Sequence, residues 1–204
     1  MKYRPVIIAG LLIALLVPAV YLLLPDSGGN GSFTRDLDRN GQTEIYRLEN
    51  GHLTIREGDR LIWKTPEDWK IQSCLAADAD NDGGEELILV LWKKGSFGSS
   101  RPMWHKGIDD EYSNHLFLYR LIAGKMKPVW CSSALARPII ELEVQDIDQD
   151  GQNELKVLEG RYFSHSYTTW IWQEWGFVQA NKGTFFLLAK LSFSPQPDIS
   201  YLVV

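Results

Sequence analysis

Apolar and polar residues alternate through much of this chain with the period of a β-strand. Ile140, Leu142 and Val144 alternate with Glu141, Glu143 and Gln145, so one face of that segment is apolar and the other wet. Glu86 to Trp92 is instead almost continuously apolar, the pattern of a strand covered on both faces. Other runs have a hairpin rhythm. Glu44 to Leu48 turns at Asn50-Gly51 into His52 to Arg56, and Gly58-Asp59 turns again into Arg60 to Lys64. Asn-Gly between apolar runs is a strong hairpin signal, because both residues tolerate positive φ. His115 to Ile122 turns at Ala123-Gly124-Lys125 into Lys127 to Cys131. Glu154 to Glu159, Thr168 to Gln173 and Gly176 to Gln179 make a third group, and the tail adds Phe185 to Leu191 and Ile199 to Val204, split by Pro195 and Pro197. Few segments carry a helical period, and the pattern predicts an all-β domain.

The N-terminus breaks this pattern. Val6 to Leu24 carries no charge, and nineteen residues at the helical rise reach roughly 28 Å, close to the thickness of a bilayer's hydrocarbon core. Lys2 and Arg4 precede the run and the next basic residue is Arg35, which directs residues 1–25 to span with the N-terminus inside and the rest outside. The alternative is a signal peptide cleaved near Ser27 to Gly29, with a secreted product; the length of the run favours the anchor. Either way the domain is exported. Residues 26–32 read by composition as a flexible linker, leaving residues 33–204 as the domain.

One decapeptide pattern, D-x-D-x-[D/N]-G-x-x-E-[L/I], occurs three times, beginning at Asp36, Asp78 and Asp146. The copies start 42 and 68 residues apart, so the middle repeat carries a long insertion. Carboxylates at alternate positions repel one another unless a hard cation gathers them. Calcium takes such oxygens, and a central glycine permits the sharp turn that aims them inward. The first copy offers Asp36, Asp38, Asn40, the Gln42 carbonyl and Glu44. The second offers Asp78, Asp80, Asp82, the Gly84 carbonyl and Glu86, and the third Asp146, Asp148, Asp150, the Gln152 carbonyl and Glu154. Asn40 is neutral, so by charge the first copy is expected to bind most weakly. An EF-hand is excluded, because position 12 is Arg47, Leu89 or Val157 rather than Glu. The competing account is that these are ordinary acidic turns, since Asp, Asn and Gly favour turns unaided. Threefold recurrence of the full ligand pattern favours Ca2+.

Strand, acidic loop, strand in this order resembles the FG-GAP or VCBS-type repeats of integrin α-subunit propellers and many bacterial surface proteins. The likeness spans about Gly31 to Phe177. Position 9 is Glu where that family usually has Asp, and its Phe-Gly and Gly-Ala-Pro signatures are missing apart from an isolated Phe97-Gly98. The resemblance implies a β-propeller-like repeat array behind one N-terminal transmembrane helix. Three repeats are few for a propeller, so the tail serves as a degenerate fourth blade, or the array stays open, or a partner closes it.

A net charge of −5 argues against a nucleic-acid partner, and eight each of Trp, Tyr and Phe suit a β-rich core. Two connections, 93–114 and 160–167, read as long loops projecting from the same end of equivalent repeats. They hold Arg101, Trp104, His105, Arg161, Tyr162 and His165, a mix of aromatic and cationic side chains suited to recognising a protein or a cell-surface glycan. A hydrolase using His105 or His165 with Asp109 or Asp110 is the rival reading, and a purely structural envelope subunit a third. No nucleophile motif, zinc spacing or phosphate loop favours catalysis. Cys74 and Cys131 are open to two readings, an exported disulfide or two buried thiols.

Overall fold

The computed structural model describes residues 30–98, 102–161 and 163–180. The expected anchor, the tail runs, Arg101 and Tyr162 lie outside the described residues. No helix among the described residues is long and apolar enough to cross a membrane, and the regular structure there is entirely β.

Among the described residues, twelve strands form three four-stranded antiparallel sheets, each a meander of consecutive strands. The first sheet is β1 (Gly31–Arg35), β2 (Glu44–Glu49), β3 (His52–Glu57) and β4 (Arg60–Lys64). The second is β5 (Lys70–Ala77), β6 (Glu86–Lys94), β7 (Tyr112–Ile122) and β8 (Lys125–Cys131). The third is β9 (Ile139–Gln145), β10 (Glu154–Arg161), β11 (Ser164–Gln173) and β12 (Gly176–Gln179). Every acidic loop joins the first two strands of its sheet, so each structural unit begins one strand before its acidic motif.

The second sheet is the middle layer. Leu87, Leu89 and Leu91 of β6 enter a core with Tyr46, Leu48, Leu53 and Ile55 of the first sheet. Their neighbours Ile88 and Val90 enter a second core with Ile139, Leu155 and Val157 of the third. The uninterrupted apolar run of β6 thus has a physical cause: both its faces are buried, and each fully buried Leu or Ile contributes about 1.5–3 kcal/mol. Strands β2 and β10 alternate because only one face of each has such a partner.

Several expected boundaries shift. Gly31 and Ser32 belong to β1, paired with Leu48 and Arg47, and are not linker; backbone pairing needs no apolar side chain. The insertion after β6 is shorter than expected, because Lys93 and Lys94 still pair with Ser113 and Tyr112. The expected loop 160–167 is mostly strand: Gly160 pairs with His165, Arg161 with Ser164 and Leu158 with Tyr167. Polar residues at strand ends hide this pairing from a hydrophobicity pattern. Cys74 and Cys131 are both free. They lie in one row across the second sheet, Cys74 opposite Leu89, Leu89 opposite Phe117 and Phe117 opposite Cys131. Three strand spacings of ~4.8 Å put about 14 Å between them, far beyond the reach of a disulfide.

Candidate metal centres

The three acidic loops share one backbone. Position 4 is left-handed in each, with φ of 55°, 61° and 64° at Arg39, Asn81 and Gln149. Position 6 follows at 86°, 86° and 88°, and there the residue is always glycine, as that conformation requires. The first Asp closes the turn: Gly41 N–H donates to Asp36 at 2.9 Å, Gly83 to Asp78 at 2.9 Å and Gly151 to Asp146 at 2.9 Å. The side chain at position 5 accepts from the N–H of position 7, at 2.7 Å for Asn40, 2.8 Å for Asp82 and 2.8 Å for Asp150.

Position 9 does something different. Glu44, Glu86 and Glu154 begin β2, β6 and β10, and each folds back under its own loop. One carboxylate oxygen accepts from the N–H of position 2: Leu37 at 2.9 Å, Ala79 at 3.0 Å and Ile147 at 2.8 Å. Leu37 and Ala79 insert their side chains into the two cores, so loop and core are tied together. The reach of Glu serves both ends. With one oxygen on the loop backbone, the carboxyl still comes within 4.8 Å of the first two Asp in every copy. Ligands at about 2.4 Å from one ion are at most about 4.8 Å apart, so the spacing within each group is compatible with a shared metal ion.

The burial and charge of these groups favour a cation. Glu44 is fully buried and its Oε1 has no partner, a vacancy of hydrogen bonding that costs about 1–3 kcal/mol unless something fills it. Burial raises its pKa, and the charges of Asp38 and Asp36 add to the rise. Burial likewise raises Glu86 and Glu154. Asp78 Oδ1 is also buried without a partner.

Each loop has different company on the next strand but one. In the first sheet Glu57 stands opposite Glu44 and accepts from Asn40 Nδ2 at 3.0 Å, so a carboxylate sits beside the neutral loop residue. In the second, Arg120 follows Tyr119, the partner of Leu87, and its guanidinium enters the acidic group. It donates to Glu86 Oε1 at 3.0 Å, to Asp82 at 2.7 Å and to Asp80 at 3.2 Å. In the third, the matching residue is Ile171, next to Trp170, the partner of Leu155. Sequence reading missed Arg120 altogether.

The loops also touch one another. Arg39 donates to the Gly83 carbonyl at 2.6 Å, and Arg35 forms an ion pair with Glu85. Asn81 and Asn153 join the second loop to the third.

At the opposite end of its sheet, the connection 95–111 is held by Asp109, which accepts from the Ser96 N–H at 2.9 Å and its hydroxyl at 2.8 Å. Gly98 lies so close to β8 that a Cβ there would stand 2.7 Å from the Cys131 carbonyl, which accounts for the lone Phe-Gly pair. Trp104 is 82% exposed, with Met103 and Ile108 exposed beside it in sequence, while His105 stacks edge-on against Phe97. Arg161 and His165 are exposed at the β10–β11 hairpin. The structure records no hydrogen bond or ring contact between Trp104 or His105 and Arg161 or His165. A separate cleft of about 750 Å³, lined by Trp130, Ser132, Gln173, Trp175 and Phe177, was not foreseen. No protein-family model, curated protein or solved structure matches the chain.

Proposed function

We propose that this chain is an exported, membrane-anchored β-repeat domain of the FG-GAP/VCBS kind, with its sheets packed as propeller blades and its acidic loops stabilised by calcium. Its task is binding, with a protein or a cell-surface glycan as ligand. The observation that carries the calcium reading is the buried, unpartnered Oε1 of Glu44 beside Asp36 and Asp38. A turn made for local reasons alone has no use for a buried carboxylate oxygen without a donor.

The blade reading rests on how the faces succeed one another. The first sheet covers one face of the second, and the third sheet covers the other. The next face in that series, on the third sheet, carries Leu158, Tyr167, Ile171 and Val178, with Tyr167 63% and Val178 40% exposed. A further blade would stack there. The ligand reading rests on Met103, Trp104 and Ile108, three exposed apolar side chains close in sequence on a connection pinned at its base.

The test is thermal melting of the full chain in detergent, with calcium, with magnesium and with chelator. Calcium is expected to raise the melting temperature clearly above both other conditions. Equal melting in all three would remove calcium from the account. Glycan and protein capture screens, repeated with Trp104→Ala, test the binding surface; capture unchanged by the substitution would move the ligand site elsewhere.

A further inference from the structure

The three loops are alike in backbone and unlike in what faces them, and the second is already served by a cation. Arg120 makes hydrogen bonds to Asp80 and Glu86, two of the three groups whose oxygens converge in this loop, and to Asp82 beside them, leaving Asp78 Oδ1 as the one oxygen of the group without a partner. The oxygen it holds on Glu86 is Oε1, the counterpart of the Oε1 that is orphaned on Glu44. The side chain of Arg120 is only a quarter exposed and that of Glu86 wholly buried, so the pair is shielded from solvent. Gly84 stands at the edge of this group, where the other loops have Gln42 and Gln152, and a Cβ there would meet the guanidinium carbon at 3.6 Å, in ordinary contact.

We infer that Arg120 is the resident cation of the second loop, and that divalent ions bind at the first and third loops only. This rests on the calcium reading above for those two loops. A guanidinium and a calcium ion cannot share the site, since both need the same oxygens and their charges repel. The affinity order expected from carboxylate count is then overturned. The second copy has three Asp and a Glu, yet it is the one closed to metal. The first has the neutral Asn40, but Glu57, which also pairs with Arg60 at 2.7 Å, stands beside it in the position that Arg120 holds in the second sheet.

The arrangement also suits the middle sheet. The second loop contacts both its neighbours, through Gly83 to Arg39 and through Asn81 to Asn153. A covalently attached cation keeps it folded at any ion concentration, so the central layer persists while the outer loops respond to calcium.

The experiment is calorimetric titration of the full chain in detergent with calcium alone, comparing wild type, Arg120→Met and Ile171→Arg. Wild type is expected to take about two ions, Arg120→Met about three, and Ile171→Arg about one, because the last places a guanidinium beside Glu154. Three ions of like affinity on wild type, or an unchanged count in Arg120→Met, would overturn the inference. Melting in chelator gives an independent reading. Arg120→Met should melt several degrees below wild type and recover on adding calcium, whereas Arg120→Lys should lose less. If no protein takes up calcium, the metal reading fails, and Arg120 is judged on the chelator melt alone; a melt unchanged by Arg120→Met would then dismiss it as the loop's cation.

Discussion

Asn81 and Asn153 grip each other across the seam between the second and third acidic loops. The Asn81 amide donates to the Asn153 carbonyl at 3.1 Å, and the Asn153 N–H donates back to Asn81 Oδ1 at 2.6 Å. Asn153 Nδ2 then reaches the Asp78 carbonyl at 2.8 Å. Two residues thus join loops that belong to different sheets. With the Arg39 and Arg35 contacts on the other side, the three loops make a continuous belt, so order imposed on one loop by an ion bears on the packing of the next sheet.

Replacing Asn81 measures that belt. Asn81→Ala removes both exchanged hydrogen bonds, a loss of about 2 kcal/mol, and puts a residue with a Cβ and no compensating side-chain hydrogen bond at φ 61°. Asn81→Gly loses the same bonds without the backbone penalty and should be about 1 kcal/mol less harmed. Urea unfolding of both variants checks this. An alanine variant within about 0.5 kcal/mol of wild type would mean that the seam carries no weight.

Glu44→Gln separates the turn's own stability from the ion's. Gln can still accept from the Leu37 N–H, and its amide can donate toward Asp36 and Asp38. In chelator the variant is therefore expected to melt at or above wild type, by up to about 1 kcal/mol of added stability. In calcium the order reverses, because the first loop loses a charged ligand. Melting curves under the two conditions are the check. A variant with the full wild-type gain from calcium would show that Glu44 holds no ion.

Much of this was legible in the chain itself, and what was not has a definite cause. The turns at Asn50-Gly51 and Ala123-Gly124 have positive φ at both residues, which Asn-Gly favours and Ala123 adopts against its own preference, and they fix the register of their hairpins. Counting outward from Asn50-Gly51 places Glu57 opposite Glu44. No such count reaches Arg120. The connection between β6 and β7 is too long to fix a register by counting across a turn, so the pairing that brings Arg120 to Glu86 could not be derived from spacing. The acidic loops were readable because their ligands are close in sequence; their partners on the neighbouring strands are not. The same limit hid β1, whose Gly31 and Ser32 offer no apolar signal and are held by backbone pairing alone.

The two cysteines yield a chemical prediction. Burial pushes both thiols up to about 11, against the opposing pull of Tyr119 and Lys93 at Cys131. At neutral pH almost no thiolate is present, and the side chains pack against the core between the first two sheets. Alkylation by iodoacetamide should therefore be slow in the native protein and rapid in denaturant, with two alkyl groups per chain counted by mass without prior reduction. A need for reductant before alkylation would contradict the free thiols.

His115 predicts how the fold responds to acid. It is fully buried in β7, with Nδ1 against the Ser132 carbonyl at 3.1 Å and Nε2 near Ser113 Oγ at 2.9 Å and the Gly95 carbonyl at 3.1 Å. Burial lowers its pKa, and the nearby Lys93 ammonium pushes the same way, against the hydrogen bonds to Ser132 and Gly95 and the charge of Asp109. In the unfolded chain the imidazole returns to its usual value near 6.5. Below that pH the unfolded state binds a proton that the native state refuses, so stability falls with acidification. One such group gives a slope of at most about 1.4 kcal/mol per pH unit. Unfolding by urea between pH 7.5 and 5 should show wild type losing stability over that window, and His115→Gln, which keeps a donor and an acceptor, should lose less. Both proteins retain His52, His105 and His165, so the difference between the two slopes belongs to His115. Parallel slopes would mean that His115 takes up its proton in the folded state as readily as in the unfolded one.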